Sequence, residues 1–167
     1  MTASRSNLVL IGMPGVGKST VGVLLAKASG RNFVDTDVLI QAGEGCSLQE
    51  MIDSLGREKF CQVEERYILC LDSQSCVIAT GGSVVYSPAA MEHLKARGTI
   101  VYLDLPLADL EQRVLNLEFR GVVMHKGQSF AELYRERAPL YHQYADVTIQ
   151  TAGLSQDQVV SAILAAV

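Results

Sequence analysis

Five short apolar or β-branched runs punctuate the chain: Asn7–Ile11 (NLVLI), Asn32–Asp35 (NFVD), Cys76–Ala79 (CVIA), Thr99–Leu103 (TIVYL) and Val147–Gln150 (VTIQ). Their brevity and near-continuous apolar character suit strands buried on both faces. Between them apolar residues recur at helical spacing. The pattern predicts helices over Lys18–Ser29, Ser47–Ser54, Gly56–Leu71, Pro88–Ala96, Ala108–Leu117, Phe130–Tyr144, with Pro139 disturbing it, and Ser155–Ala166. Several starts carry their own signal. Ser47 with Glu50, and Ser129 with Glu132, match the capping box, in which hydroxyl and carboxylate each satisfy an orphan amide. Ser87-Pro88 sets a capping hydroxyl before a proline that needs no amide partner at the first helical position.

Strands separated by helices need crossover connections, so the expected fold class is α/β: a three-layer sandwich with a short, about five-stranded parallel sheet. Ligands in such sheets bind beyond the carboxyl ends of the strands. No repeat, low-complexity tract or Pro/Gly/Ser linker divides the sequence, and one domain spanning residues 1–167 is expected.

Composition narrows the function classes. Hydrophobic residues make up 49% of the chain, enough for a two-sided core. No apolar stretch reaches the roughly 18 residues of a membrane span, so a cytoplasmic protein with no membrane partner is expected. The net charge is −4, the isoelectric point about 5.3, and no lysines or arginines cluster. A nucleic-acid partner is therefore not expected. Cys46, Cys61, Cys70 and Cys76 form no CxxC pair and have no histidines at zinc spacing, which reads as reduced thiols. His93, His125 and His142 lie far apart, beside no obvious nucleophile. Nothing calls for a partner chain, and a monomer is expected.

The chemistry starts after the first strand. Gly12-Met13-Pro14-Gly15-Val16-Gly17-Lys18-Ser19 fits G-x-x-x-x-G-K-S without a mismatch, between a strand and a helix. Glycines let backbone amides turn around an anion, and the helix start adds its positive end. Lys18 is placed to reach the β- and γ-phosphates of ATP and the Ser19 hydroxyl to coordinate Mg2+, with Gly12, Gly15, Val16, Gly17 and Thr20 completing the nucleotide contact. Such a loop says nothing about the acceptor. Motor ATPases and GTPase switches carry an acidic residue after a later apolar strand, whereas here CVIAT ends in Gly81-Gly82-Ser83, and no NKxD-like guanine reader occurs.

The second strand instead ends on Asp35-Thr36-Asp37. In an extended segment residues two apart point the same way, so both carboxylates can face the phosphate loop, one for metal and one for a hydroxyl. The competing reading is a solvated turn that caps the next helix.

With these residues in view, the chain resembles the shikimate kinases, small P-loop enzymes of the nucleoside-monophosphate-kinase-like group. GMPGVGKST, FVDTD, GREKFCQVEE, ATGGSVV, EFRG and RERAPLY occur in the family's order and spacing. The resemblance implies a P-loop kinase fold and ATP-dependent phosphorylation of shikimate to shikimate 3-phosphate. It implies that Asp35 places magnesium, that Asp37 binds acceptor hydroxyls and takes the proton, and that Gly81 and Gly82 let the backbone approach the substrate. Arg137 matches the family's anion-binding arginine, Arg120 its lid arginine, and Arg113 a position that packs on adenine; a plain helix-surface arginine remains the other reading of Arg113. Residues 118–128 correspond to the lid.

Three positions depart from the family's pattern. Cys61 stands where an arginine clamps the substrate carboxylate, Ser83 replaces a third glycine, and Arg120-Gly121-Val122 replaces Arg-Pro-Leu. A thiol cannot stand in for a bidentate cation. Arg57, one helical turn earlier on the same face, is the candidate to reach that carboxylate. The alternatives are another small hydroxy acid, such as homoserine or gluconate, or a nucleotide-binding module without catalysis.

Overall fold

A computed structural model of the chain describes residues 6–114 and 121–167. Its elements are β1 (Asn7–Ile11), α1 (Lys18–Ser29), β2 (Asn32–Asp35), α2 (Thr36–Glu44), α3 (Leu48–Leu55), α4 (Arg57–Leu69), β3 (Cys76–Ala79), a 3-10 turn (Val84–Tyr86), α5 (Pro88–Arg97), β4 (Gly98–Asp104), α6 (Leu107–Val114), α7 (Phe130–Tyr144), β5 (Val147–Gln150) and α8 (Gln156–Ala166). The five strands form one parallel sheet in the order β2-β3-β1-β4-β5. Helices α1 and α8 pack together on one side, while α5 and α7 cover β4 from the other. The α/β sandwich expected from the alternation of elements is the fold observed.

The central strands account for the sheet's cohesion. Every residue of β1 and β3 is buried, as continuous apolar runs require in a sheet covered on both sides. The one polar side chain of β1 has a specific task. Asn7 donates to Ser73 O at 2.7 Å and accepts from the Cys76 amide at 3.0 Å, fastening the start of β3 to the start of β1.

Both predicted capping boxes are present, and Ser155 with Gln158 forms another at the start of α8. Ser87 caps α5 through the Ala90 amide, with Pro88 at the first helical position. Helix α7 runs through Pro139 to Tyr144. The expected helix Ala108–Leu117 corresponds to α6, its last residues lying outside the described ones.

One expectation is corrected. Asp35-Thr36-Asp37 is not a continuous extended segment: Asp35 ends β2 and α2 begins at Thr36. The cause is the Asp35 carboxylate, whose Oδ1 accepts from the amides of Asp37 at 3.0 Å and Val38 at 3.4 Å, an N-cap that starts the helix at once.

Two apolar clusters result. The large one surrounds the sheet; the small one joins Ile40 of α2, Leu48 and Met51 of α3, Phe60 of α4 and Val123. Asn7→Ala should lower the unfolding free energy by about 2 kcal/mol in a urea titration, because it strips partners from a carbonyl and an amide at the sheet's centre. An unchanged midpoint would show that water replaces both bonds.

Candidate active site

Two conformationally costly residues of the phosphate loop have a visible reason. Gly12 leaves β1 with φ 148°, and a Cβ there would stand 2.7 Å from Leu103 O on the neighbouring strand. Gly17 holds φ 102° as the N-cap of α1 and offers no side chain to the first-turn amides, which are left open to an anion. Lys18 is buried and folds back over the loop, its Nζ donating to Gly12 O at 2.7 Å and Met13 O at 3.0 Å. Burial brings its amine down to about 8, with the nearby Asp37 charge acting the other way.

Ser19 Oγ donates to Asp35 Oδ2 at 2.6 Å, so the two residues expected at a metal meet directly. Asp37, in the first turn of α2, lines the same cavity as the loop; the pair is brought together by the start of a helix, not by strand alternation. Burial, then the charge of Asp35, pushes the Asp37 carboxyl up to about 6, against the pull of Lys18.

The cavity, of about 560 Å3, runs from the loop to Gly81, Gly82 and Arg137. A Cβ on Gly81 would overlap Glu64 Oε1 and stand 2.9 Å from Asp37 Oδ1; one on Gly82 would stand 2.8 Å from Arg137 Nη1 and 3.0 Å from Pro14 Cδ. These glycines therefore allow the protein's own functional groups to close in, whatever a ligand adds. Arg137 is only 1% exposed. Its Nε donates to Tyr86 Oη at 3.1 Å, its Nη2 to Val123 O, and it makes no ion pair with a described carboxylate. Tyr141 Oη donates to Gly82 O at 2.6 Å and fixes the glycine strip from behind.

Arg113 lines the cavity and ties α6 to the loop through Val16 O at 3.2 Å. Thr20 also lines it, while Val16 is buried beneath. Arg57 does not line it. It sits at the rim, 3.2 Å from Glu136, in contact with His125 and with its guanidinium 4.7 Å from the centre of the Tyr86 ring. Arg120 and the start of the expected lid lie outside the described residues. The remainder is held: the Gly121 amide donates to Gln49 Oε1 at 2.9 Å, Val123 enters the small cluster, and Val122 and Met124 pack against the large one.

Cys61 faces elsewhere. It borders a separate cavity of about 130 Å3 shared with Glu64, Ser83 and Tyr86, and burial pushes its thiol up from the usual range. Glu64, missed from the sequence, is 2% exposed, accepts from Ser83 Oγ at 2.7 Å and has its other oxygen unpartnered. Burial raises its carboxyl to about 7. The signal for it was available: Phe60, Glu64 and Ile68 stand four apart on the buried stripe of α4, an acid where an apolar residue belongs. Ser83, which departs from the triple glycine, supplies its partner. Tyr86 and Tyr141 had no comparable signal.

The shikimate kinase family model matches residues 14–167. A shikimate kinase from Thiobacillus denitrificans is 40% identical over 154 residues, 90% of this chain and 84% of that protein. The structure of Acinetobacter baumannii shikimate kinase in complex with shikimate superposes with a TM-score of 0.88 at 31% identity, covering 96% of this chain and 92% of that one. A Sinorhizobium meliloti gluconokinase, at 17% identity and a TM-score of 0.56 over 98% of this chain and 91% of its own, shares the fold alone. With a matching sequence along nearly its whole length and a matching backbone, this chain belongs to the shikimate kinase family and is a phosphotransferase.

Proposed function

We propose that the chain transfers the γ-phosphoryl group of ATP to the 3-hydroxyl of shikimate. The observation that carries the reading is the shared wall at Gly81 and Gly82, with the Asp37 carboxylate against one glycine and the buried, carboxylate-free Arg137 against the next. A buried guanidinium without an anion is an anion site in waiting, and a carboxylate close to it faces the hydroxyls of the same molecule. Shikimate, a carboxylic acid with ring hydroxyls, has both groups. The relative solved with shikimate bound supports the choice over homoserine or gluconate.

In this reading Gly12 to Thr20 cradle the triphosphate, and Lys18 exchanges its two carbonyl acceptors for phosphate oxygens. Arg113 lies along the nucleotide, and Arg120 closes over it with the lid, residues 118–128, excluding water. Asp37 orients the attacking hydroxyl and accepts its proton as the phosphoryl group transfers. Arg137 holds the acceptor carboxylate, with Arg57 at the rim as a second cation within one turn of Cys61. Ser19 and Asp35 would hold Mg2+: two hard oxygens 2.6 Å apart fit an ion that takes few protein ligands and completes its shell with water and phosphate. When bound, the ion neutralises charge on the β- and γ-phosphates.

ADP release should follow addition of shikimate and not of homoserine, gluconate or nucleoside monophosphates. Turnover confined to another acceptor would replace shikimate, and ATP binding without turnover on any of them would make the chain a binding module. Asp37→Asn should cut kcat by about 100-fold or more while leaving the KM for ATP within about twofold. The pH profile follows from two groups shifted by loss of water. Asp37 accepts a proton only when ionised, so kcat/KM for shikimate should fall as pH drops through about 6. Lys18 attracts phosphate only when charged, so kcat/KM for ATP should fall as pH rises through about 8. A flat profile across both values would remove both assignments.

A further inference from the structure

Tyr86 closes the 3-10 turn that follows the glycine strip, and two cations converge on it. The Arg57 guanidinium lies 4.7 Å from its ring centre and that of Arg137 5.1 Å. Its hydroxyl accepts from Arg137 Nε at 3.1 Å and donates to Glu136 Oε1, the same oxygen that Arg57 Nη2 contacts at 3.2 Å. A phenol has one proton to give and two lone pairs to offer, and here the proton goes to a carboxylate while a lone pair faces a guanidinium. That polarity is fixed. Glu136 cannot donate when ionised and Arg137 cannot accept, so the hydroxyl has a single orientation, with its lone pair toward Arg137 Nε. The second Arg137 contact, to Val123 O, is on another nitrogen and comes from residues over the cavity.

We infer that Tyr86 is a positioning residue for the acceptor: it holds Arg137, which lines the cavity, in place for the acceptor's carboxylate, while Arg57 stacks on the same ring from outside the cavity. The inference rests on the acceptor reading proposed above. Arg137 is buried with its Nη1 against Gly82, and among the described residues no carboxylate pairs with it to hold that orientation. Tyr86 does the work of that missing carboxylate without neutralising the charge. Aromatic faces attract guanidinium groups while leaving their N–H edges to other acceptors. Glu136 compensates Arg57 at the rim, outside the cavity, and so the two like charges coexist near one ring before any acceptor arrives.

The test compares KM for shikimate with KM for ATP, after wild-type turnover of shikimate has been established; absence of that turnover would refute the acceptor reading, not this one. Tyr86→Phe keeps the ring and removes the hydroxyl, and should raise KM for shikimate by about tenfold with KM for ATP within about twofold. Tyr86→Leu removes the ring as well and should raise it by about a further fivefold. In an Arg137→Lys background, which has no Nε–H to place, Tyr86→Phe should add less than about twofold. Equal changes in both KM values, no change in either, or a full tenfold effect retained in the lysine background would each overturn the role. Thermal unfolding of Tyr86→Phe guards the comparison, and the tyrosine-to-leucine step supplies the same split independently.

Discussion

Asp35 divides its two carboxylate oxygens between two duties, and the site depends on that division. One oxygen accepts the first amides of α2 and so determines where the helix starts; the other accepts the Ser19 hydroxyl from the first turn of α1. The helix that carries Asp37 is thereby registered against the loop that carries Lys18. An N-cap is ordinarily a matter of about 1 kcal/mol of local stability. Here it also sets the distance between the two halves of a phosphoryl-transfer site. The same residue was open to a catalytic and a capping reading in the sequence; the structure shows the cap and sets the other oxygen against Ser19.

Around that registration the site is built from charges that burial makes expensive. Lys18, Glu64 and Arg137 lie beneath the surface and Asp37 is half-buried, and the shifts of Lys18, Asp37 and Glu64 are each led by loss of water. Their partial pairing keeps the cost tolerable while leaving a surplus directed into the cavity. Lys18 rests on two carbonyls of its own loop, acceptors that a phosphate can replace. Arg137 rests on a phenol and a carbonyl, neither of which cancels its charge. Such incomplete compensation is how a folded protein retains affinity for an anion. Gly81 and Gly82 are part of the same economy of space, since any side chain there would strike Glu64, Asp37 or Arg137.

Much of this was legible in the sequence, and the reasons differ by residue. The strands and the other helices followed from periodicity and from caps that are local chemistry, as at Ser47, Ser87 and Ser129. The phosphate loop followed from glycines whose spacing has few other uses. Helix α2 was hidden because Thr36, Val38 and Ile40 are β-branched and Gly43 weakens a helix, while tertiary packing of Ile40 outweighs those preferences. Strand order was not readable, because parallel crossovers leave no record of which neighbour is skipped. Glu64 could be seen as an acid on an apolar stripe, but its partner Ser83 is nineteen positions away and only folding joins them. Tyr86 gave no sign, since its role lies wholly in the two arginines that reach it from other helices.

Residues 122 to 124 place alternate side chains in different interiors, Val123 among the helices of the small cluster and its two neighbours against the large one. The segment is thus a rivet through two hydrophobic bodies. Peeling it back exposes apolar surface in both clusters. Val122 and Val123 also line the cavity, so the packing that holds this segment is at the same time part of the cavity's wall.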